Sequence, residues 1–251
     1  MSPTSAAPTP RIVLLVRLVI IAALLAAWEA LALSGLLFRD VVPSLQAIGK
    51  AVLRLLAGPG FYANLGVTAA EIGVALLIGG LSGLAVGILL GANQFLSRAY
   101  ESLVYYLGPT PKIIFFPVMI MWFGVGSGSK IAMGAISCFF PIAISAASGM
   151  RQIDRVLIRV GRSFRASVWQ MVTKIYLPAM REPVVTGARL GLGVAIIGTL
   201  LAQTKLSNRG LGYLIIQAYA TFDMPRMYAL IIVLFVLAVG ANALLGRLAH
   251  R

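Results

Sequence analysis

The stretch VTAAEIGVALLIGGLSGLAVGILLGA, residues Val67 to Ala92, decides the fold of this chain. It is long enough to cross the hydrocarbon of a bilayer as a helix, which takes about 20 apolar residues. Its one ionisable side chain is Glu71. Since only a helix or a closed barrel satisfies its own backbone hydrogen bonds in lipid, the stretch predicts a membrane-spanning helix.

Further apolar segments extend this prediction along the 251 residues. They are Ile12 to Leu33, Leu103 to Phe123, Ile131 to Gly149, Val184 to Leu201 and Met227 to Leu245. The composition agrees, because 60% of the residues are hydrophobic and only 11% are charged, which is unlike a soluble domain. We therefore predict an all-α membrane protein of about six transmembrane helices, with one transmembrane domain over residues 11–251. Residues 1–10, rich in Ser, Pro and Ala, are expected to form a disordered cytosolic tail.

The formal charge of +14 reflects membrane topology in this interpretation, because the basic side chains lie between apolar blocks. Nucleic-acid binding is therefore not predicted. The main basic cluster falls in one loop between the fourth and fifth spans, and the positive-inside rule places this loop and both termini in the cytosol. Neither a catalytic nor a metal site is predicted, since Cys138 and His250 are the only cysteine and histidine.

Prolines interrupt the third predicted span at Pro109, Pro111 and Pro117. Each proline removes a backbone donor and clashes with the preceding turn, so this segment is expected to be kinked or partly unwound. Lipid tolerates such a backbone only against protein or a water-filled cavity. The segment is thus either a wall of a transport path or a bent helix packed on its neighbours.

The basic loop carries an amphipathic pattern. Arg151, Arg155, Arg159 and Arg162 are spaced by four, four and three residues, which stacks them along one side of a helix. The apolar residues of the other side are Ile153, Val156, Leu157, Val160, Phe164 and Val168. Such a helix suits either anionic lipid headgroups or an acidic protein partner, and the pattern leaves both open.

This loop resembles the cytosolic loop of the permeases of binding-protein-dependent ABC importers. That loop carries Glu-Ala-Ala, three residues, Gly, nine residues, Ile, one residue and Leu-Pro. Arg159, Val160 and Gly161 take the Glu-Ala-Ala place and Arg165 takes the Gly place, while Ile175, Leu177 and Pro178 match Ile and Leu-Pro. Other runs are similar to the nitrate, sulfonate and taurine type of permease, namely Pro109 to Pro117, Met121 to Gly124, Gly128 to Lys130, Phe139 to Pro141 and Gly210 to Tyr213.

The resemblance implies a permease subunit without a nucleotide site of its own. Its coupling loop, residues 151–182, would fit a groove on a separate ABC ATPase that binds ATP and magnesium. The other implied partners are a second permease copy or a homologous permease, and a periplasmic or lipid-anchored substrate-binding protein. The implied function is import of a small solute, preferably a small organic or inorganic anion, by alternating access across the bacterial inner membrane.

Arg159 and Arg165 depart from the family's loop pattern. Because like charges facing one another are unfavourable, the reversed charge at Arg159 calls for a changed partner. We expect an ATPase with a more acidic docking groove, or a second, more typical permease that carries most of the coupling. A subunit that couples poorly is the third alternative.

Five residues are candidates for the translocation path: Pro111, Pro117, Trp122, Glu71 and Gln203. Glu71 is a candidate because an ionisable group in a membrane helix costs roughly 3 kcal/mol at the bilayer centre. A hydrogen-bonded or snorkelling Glu71 near the outer interface is the alternative. Gln203 stands where many of the resembling permeases have an acidic residue, and Trp122 suits an aromatic belt as well as a path.

Glycines repeat every four residues in the second span, at Gly79, Gly83, Gly87 and Gly91. A stripe without side chains lets another helix approach closely. This glycine seam either lets two helices slide or hosts a permease dimer, or it serves static close packing of two helices.

A mixed stretch from Leu45 to Leu56 is flanked by proline and glycine and predicts a short amphipathic helix on the outer surface. By resemblance the outer loops would meet the substrate-binding protein, and an interfacial helix in contact with membrane lipids is the alternative.

The rival function is an ATP-independent secondary carrier or channel, and a non-transporting membrane scaffold is the third. Carriers place ionisable groups near the midplane for ion coupling, and this chain has none clearly there.

Overall fold

The computed structural model describes residues 10–35 and 41–249, and every regular element within these ranges is helical. The all-α prediction is therefore confirmed. The helices are α1 Pro10–Leu33, α2 Leu45–Ala57, α3 Pro59–Ala92, α4 Gln94–Leu107, α5 Phe116–Phe123, α6 Ser127–Gln152, α7 Arg155–Ser163, α8 Val168–Gln170, α9 Leu177–Ala179, α10 Arg181–Lys205, α11 Leu211–Ala220 and α12 Met224–Ala249, with a 3-10 turn at Lys112–Phe115 and a π-helical turn at Met171–Tyr176. The tail predicted over residues 1–10 lies outside the described residues except for Pro10.

Five of the described helices, α1, α3, α6, α10 and α12, are long and apolar enough to cross a membrane. The remaining predicted span, the third, is a bent pair, in which α4 and the segment Lys112–Phe123 meet at 92°. The proline-rich third span is therefore irregular, as its sequence predicts. Pro111 precedes the 3-10 turn and Pro117 stands in the first turn of α5, where the missing N–H of proline costs nothing.

α6 is the centre of the bundle and packs between α3 and α10. The glycine seam of α3 faces it. A Cβ atom added at Gly79 would lie 2.3 Å from the Ala135 carbonyl oxygen, and one added at Gly83 would lie 2.6 Å from the Phe139 carbonyl oxygen. Gly87 and Gly91 meet α6 in the same way, so the seam is filled by a helix of the same chain.

An adjoining face of α6 receives glycines from α10. Cβ atoms added at Gly187 and Gly198 would lie 2.7 Å from Ser145 Cβ and 2.5 Å from Ser137 Oγ. Both faces of α6 are thus contacted at backbone distance, which favours dispersion contacts that lipid tails do not supply as well.

The N-terminal helix α1 touches the bundle near its C-terminal end. Trp28 Nε1 donates to the Pro43 carbonyl at 3.1 Å, and Glu29 Oε2 accepts from the Leu45 amide at 2.8 Å. Trp28 also meets the Tyr228 ring edge to face at 5.3 Å. The rest of α1 presents exposed apolar side chains, as expected of a helix surrounded by lipid or by another subunit.

The predicted amphipathic helix before the second span is confirmed as α2. Ser44 caps it by accepting from the Ala47 amide at 3.3 Å, which satisfies a free donor of the first turn. Ile48 and Leu55 are buried, and Leu55 joins a core with Phe61 and Leu214. Ile48 and Leu55 therefore pack on protein, while Leu53 of the same helix is 70% exposed.

Replacement of Gly83 by alanine tests the α3–α6 contact. Its new methyl would press on the backbone of α6, which cannot move aside as a flexible side chain does, so we expect a loss of about 1–3 kcal/mol of unfolding free energy. The same substitution at Gly73, which has open space around it, is the matched control and is expected to be neutral or stabilising by up to about 1 kcal/mol. Denaturant unfolding in detergent, followed by circular dichroism, measures both. Equal effects at the two positions would contradict the close contact.

Candidate functional site

The predicted coupling loop folds into two short helical segments at one end of the bundle. α7 begins after Asp154, whose Oδ1 accepts from the Val156 amide at 2.8 Å. The second segment runs from α8 through the π-helical turn to α9. It begins with a reciprocal cap, in which Ser167 accepts from the Gln170 amide and its own amide donates to the Gln170 side chain.

The single amphipathic helix predicted for this loop is shorter in the structure. Arg151 lies at the end of α6, where it forms an ion pair with Glu101 at 2.8 Å. The stripe on α7 therefore consists of Arg155, Arg159 and Arg162. Three residues of the predicted apolar face also lie outside α7. They are Ile153, Val168 and Phe164, and Phe164 is the C-cap of α7. The physical reason is a pair of helix boundaries, the break at Ile153 and Asp154 before α7 and the stop at residues 164–165 after it, and periodicity reveals neither.

Gly161 is the contact point of the two segments. It is buried, and a Cβ atom there would lie 2.3 Å from Ile175 Cδ1 and 2.6 Å from Met171 Sδ. Ile175 and Leu177 are half-buried, while Pro178 is exposed. The intact part of the loop motif therefore forms the inner support of the loop, and Arg159 and Val160 face outward.

Arg165 ends α7 in the left-handed conformation, with φ +52°. The Ala166 amide donates to the Gly161 carbonyl at 3.1 Å, and the Arg165 amide donates to the Arg162 carbonyl at 2.9 Å. This pair of bonds is the Schellman arrangement, whose left-handed position is normally glycine. The structure thus explains why the pattern has glycine here, and an arginine costs about 1–2 kcal/mol in this conformation.

The outward face of the loop combines charge with exposed apolar side chains. Phe164 and Val168 are each 82% exposed, and Trp169 is 74% exposed. Arg155, Arg159 and Arg162 are exposed as well, and none of them forms an ion pair within the described residues. A surface of this kind is typical of an interface core surrounded by charges.

A cluster of buried polar side chains lies inside the bundle, where α3, α10 and α11 meet. Gln203 Nε2 donates to Glu71 Oε2 at 2.6 Å and to Thr68 Oγ1 at 3.1 Å. All three side chains are at most 4% exposed. Glu71 is therefore hydrogen-bonded in the structure, which is one of the two alternatives given for it above. Its partner is Gln203, the other polar candidate for the translocation path.

The same cluster holds the N-terminus of α11. The Leu211 amide donates to Thr68 Oγ1 at 2.8 Å, and the Gly212 amide donates to Gln203 Oε1 at 2.9 Å. Just before them, the Gly210 amide donates to Asn64 Oδ1 at 2.7 Å. These amides have no partner within their own helix, so α3 and α10 supply the acceptors that α11 needs.

Gly210 is required at this junction for two reasons. Its φ is +100°, and a Cβ atom there would lie 2.5 Å from the Gln203 side-chain amide.

Gln203 itself both donates and accepts within the cluster, which an ionised carboxylate does not do. The glutamine therefore bonds to Glu71, where a second carboxylate would face it without a donor.

Lys130 places a second charge in this region. It is 1% exposed, its ammonium donates to the Val125 carbonyl, and its charge attracts Glu71. Opposite charges that are buried together offset part of each other's desolvation cost. A local pattern does not reveal this contact, because Glu71 lies 59 positions away from Lys130 along the chain.

An open cavity of about 550 Å³ lies beside the bend between α4 and α5. Pro111, Lys112, Phe140 and Ser137 are among its lining residues. The Lys112 ammonium donates to the Thr110 carbonyl at 3.2 Å and lies 5.0 Å from the centre of the Phe140 ring. The cavity is thus apolar with one cation at its edge.

The five path candidates do not lie together. Pro111 lines the cavity, Pro117 and Trp122 are exposed on or near α5, and Glu71 and Gln203 lie in the buried cluster. The cluster and the coupling loop lie at opposite ends of the bundle, because α3 begins near the end of α10 and ends near the end of α6.

Residues 83–251 match the family described as binding-protein-dependent transport system inner membrane component. The chain is also similar to individual proteins of known name. It is 29% identical over 237 residues to the taurine transport system permease protein TauC of Escherichia coli, covering 91% of this chain and 86% of that protein. It is 28% identical over 212 residues to the putative aliphatic sulfonates transport permease protein SsuC of Bacillus subtilis, covering 84% and 77%.

A more distant relative is the nitrate import permease protein NrtB of Synechococcus elongatus, 25% identical over 206 residues, covering 78% of this chain and 73% of that protein. Among solved structures, the fold is similar to a chain of the MetNI methionine ABC transporter in an inward-facing conformation. The TM-score is 0.67 at 22% identity, covering 79% of this chain and 96% of that chain. The predicted permease fold is thereby confirmed.

Arg165→Gly is expected to stabilise the coupling loop, because glycine adopts the left-handed conformation without strain. The gain is about 1 kcal/mol, reduced by the larger unfolded-state freedom of glycine. Amide hydrogen exchange in α7 measures it as roughly a fivefold slowing. Arg162→Gly is the matched control, since that residue has helical geometry and glycine there costs about 1 kcal/mol. Faster exchange in Arg165→Gly would contradict the strain at Arg165.

Gln203→Leu is expected to destabilise the protein by about 3 kcal/mol. The substitution removes the hydrogen-bond partner of the Glu71 carboxylate and that of the Gly212 amide in a buried site. Gln217→Leu, an equal change at an exposed position of α11, is the control and is expected to stay within about 0.5 kcal/mol of wild type. Thermal unfolding in detergent compares the two, and similar midpoints would show that the cluster contributes little.

Proposed function

The chain belongs to the family of binding-protein-dependent transport system inner membrane components, and on this premise we propose that it is the permease subunit of an ATP-driven importer of small solutes. The observation that carries the proposal is the family match over residues 83–251, which includes the whole coupling loop. The chain lies in the bacterial inner membrane as a multi-pass protein, with both termini in the cytosol.

The coupling loop contacts an ABC ATPase, which binds the ATP and magnesium. Its outward face supports this role, because large exposed apolar side chains such as Phe164 and Trp169 are expected to be covered by a partner. Arg155, Arg159 and Arg162 surround them without ion-pair partners in the described part of the chain. An ATPase groove that complements this face is acidic at the place where it meets Arg159. In permeases with the usual loop pattern, the groove meets a glutamate at that place.

The ATPase can move the membrane helices because α10 starts at the loop and ends at the buried cluster. α10 has 25 residues and spans about 37 Å at 1.5 Å per residue. Gln203 lies in its last turn and bonds to Glu71 of α3. A tilt imposed on the start of α10 would therefore alter the contacts that hold α11 at the other end, which is the coupling that alternating access requires.

A second permease, identical or homologous, completes the path. One copy presents the cavity beside Pro111 as an open depression, and exposed apolar side chains cover α1 and much of α5. A symmetric pair would enclose a path between two such depressions.

The solute is a small anion in this proposal. The similar permeases named above are named for taurine, aliphatic sulfonates and nitrate. Lys112 supports the same class, because it places an ammonium beside an otherwise apolar cavity, where a charge attracts an anion more strongly than in water.

The experiment that tests the function is ATP hydrolysis by the complex purified through this permease. Arg159→Glu reverses a charge on the outward face of the loop, and we expect about a tenfold loss of co-purified, binding-protein-stimulated hydrolysis. Arg98→Glu is the matched control, because Arg98 is exposed near the start of α4, at the same end of the bundle but outside the loop. It is expected to hydrolyse ATP as wild type does.

If no ATPase co-purifies with the wild-type permease, the importer proposal fails and the ATP-independent carrier or channel takes its place. If the ATPase co-purifies equally with Arg159→Glu, the permease proposal survives and the assigned contact of Arg159 does not.

A further inference from the structure

A basic cleft of about 620 Å³ lies where α2 packs beside the first turns of α3 and α12. Lys50, Arg54 and Arg226 line it, and Asp223 is its one acidic lining residue. The three cations are exposed, and within residues 10–35 and 41–249 none of them has an ion-pair partner. The volume is typical of small-ligand sites, which hold roughly 300–1,000 Å³. The cleft therefore has both the room and the charge for a small anionic group.

The cleft lies at the level of the lipid headgroups. Arg226 directly precedes residues 227–246 of α12, a run without a charged side chain, and the next charge is Arg247. A helix of this length covers about 30 Å, which is the thickness of the hydrocarbon of a bilayer. Arg226 therefore marks one boundary of the hydrocarbon, and the cleft that it lines opens at that boundary.

Aromatic side chains mark the same level. Tyr228, two residues after Arg226, meets Trp28 of α1 edge to face at 5.3 Å. Tyr62 stands in the first turn of α3 and is 54% exposed. Tryptophan and tyrosine are enriched at membrane interfaces, where the apolar ring and the polar tip both find suitable surroundings. The aromatic residues of α1, α3 and α12 thus agree with the boundary that Arg226 indicates.

We infer that the cleft binds the headgroup of an anionic phospholipid such as phosphatidylglycerol. Cations at the membrane surface attract anionic lipids, and arginine and lysine form short, charge-assisted hydrogen bonds with phosphate oxygens. The inference goes beyond the proposed function, because it depends on the position of the cleft in the membrane and not on a solute or an ATPase.

The apolar surface beside the cations favours a lipid over a free anion or an acidic protein. Leu53 and Leu56 of α2 are 70% and 41% exposed, and Leu53 is the neighbour of Arg54 in the chain. An amphiphile suits both kinds of surface, since its phosphate meets the cations while its acyl chains cover the leucines. A free phosphate or an acidic side chain would meet only the cations.

A lipid in the cleft also touches the junction that holds α11. Asn64 lines the cleft, and its Oδ1 accepts from the Gly210 amide at 2.7 Å. The next amide, that of Leu211, donates to Thr68 Oγ1 at 2.8 Å. A ligand that binds only the folded protein stabilises it, so the bound headgroup stabilises the packing of α2, α3 and the start of α11.

Native mass spectrometry of the full chain tests the site. The permease is purified in detergent and mixed with equal amounts of phosphatidylglycerol and phosphatidylcholine, and the ratio of the two bound lipids is measured. For the double variant Lys50→Gln and Arg54→Gln we expect this ratio to fall at least fivefold, because phosphatidylcholine has no net charge for the cations to attract. Arg54→Gln alone is expected to lower the ratio about threefold, and it keeps the test valid if the double variant does not fold. Arg54→Lys keeps the charge and is expected to bind as wild type does.

Lys205→Gln is the matched control, because Lys205 is exposed at the end of α10 but does not line the cleft. Its lipid ratio is expected to equal that of wild type. Glycerol 1-phosphate is the second probe, since it carries a phosphate without acyl chains. Added in excess, it is expected to leave the bound phosphatidylglycerol in place.

Three results would overturn the lipid site. An unchanged ratio in the double variant would assign the cations to another partner, such as an acidic protein. An equal fall in Lys205→Gln would mean general attraction to a basic surface, and displacement by glycerol 1-phosphate would mean a site for free phosphate anions. None of these measurements uses ATP hydrolysis, so a wild-type complex that lacks any ATPase would overturn the proposed function and leave the lipid site standing.

Discussion

The backbones of α3 and α10 touch the two sides of α6 through glycines, and the rest of the fold depends on this contact. In lipid there is little hydrophobic force between helices, so association relies on close packing and polar bonds. At Gly79 and Gly83 there is no room even for a methyl group. A helix held this closely acts as the core of the bundle. The bent segment packs on α6, the coupling loop follows its C-terminal end, and α11 is held by α3 and α10, which pack against α6.

Polar contacts organise one end of this core, and close packing at a glycine organises the other. At one end Gln203 connects α10 to Glu71 and Thr68 of α3, and the same side chains supply acceptors to α11. At the other end Gly161 lets the two segments of the coupling loop pack together. The long helix α10 joins these regions, since it begins at the coupling loop and carries Gln203 in its last turn.

The departures from the loop pattern have separate physical meanings. At Arg165 the pattern's glycine satisfies a backbone requirement, since φ is +52° and the bonds of a Schellman cap are present. Arg159 is exposed and meets no such requirement, so its departure from the pattern does not strain the loop. Gln203 replaces an expected acid but bonds directly to one, which keeps a carboxylate in the cluster through Glu71.

Much of the architecture could be predicted from local sequence. Apolar length predicted the spans, prolines predicted the irregular third span, and glycine spacing predicted a close helix contact, because each effect acts within one segment of chain. Local patterns did not predict α11 as a helix, the stop of α7 at Phe164, or the burial of Lys130. Composition and periodicity thus determined that the chain is a helical membrane protein, while its family was indicated by the resemblance of its motifs. Only the tertiary structure decided which helix fills the glycine seam and which polar residues meet, because those contacts join residues as far apart as Thr68 and Gln203.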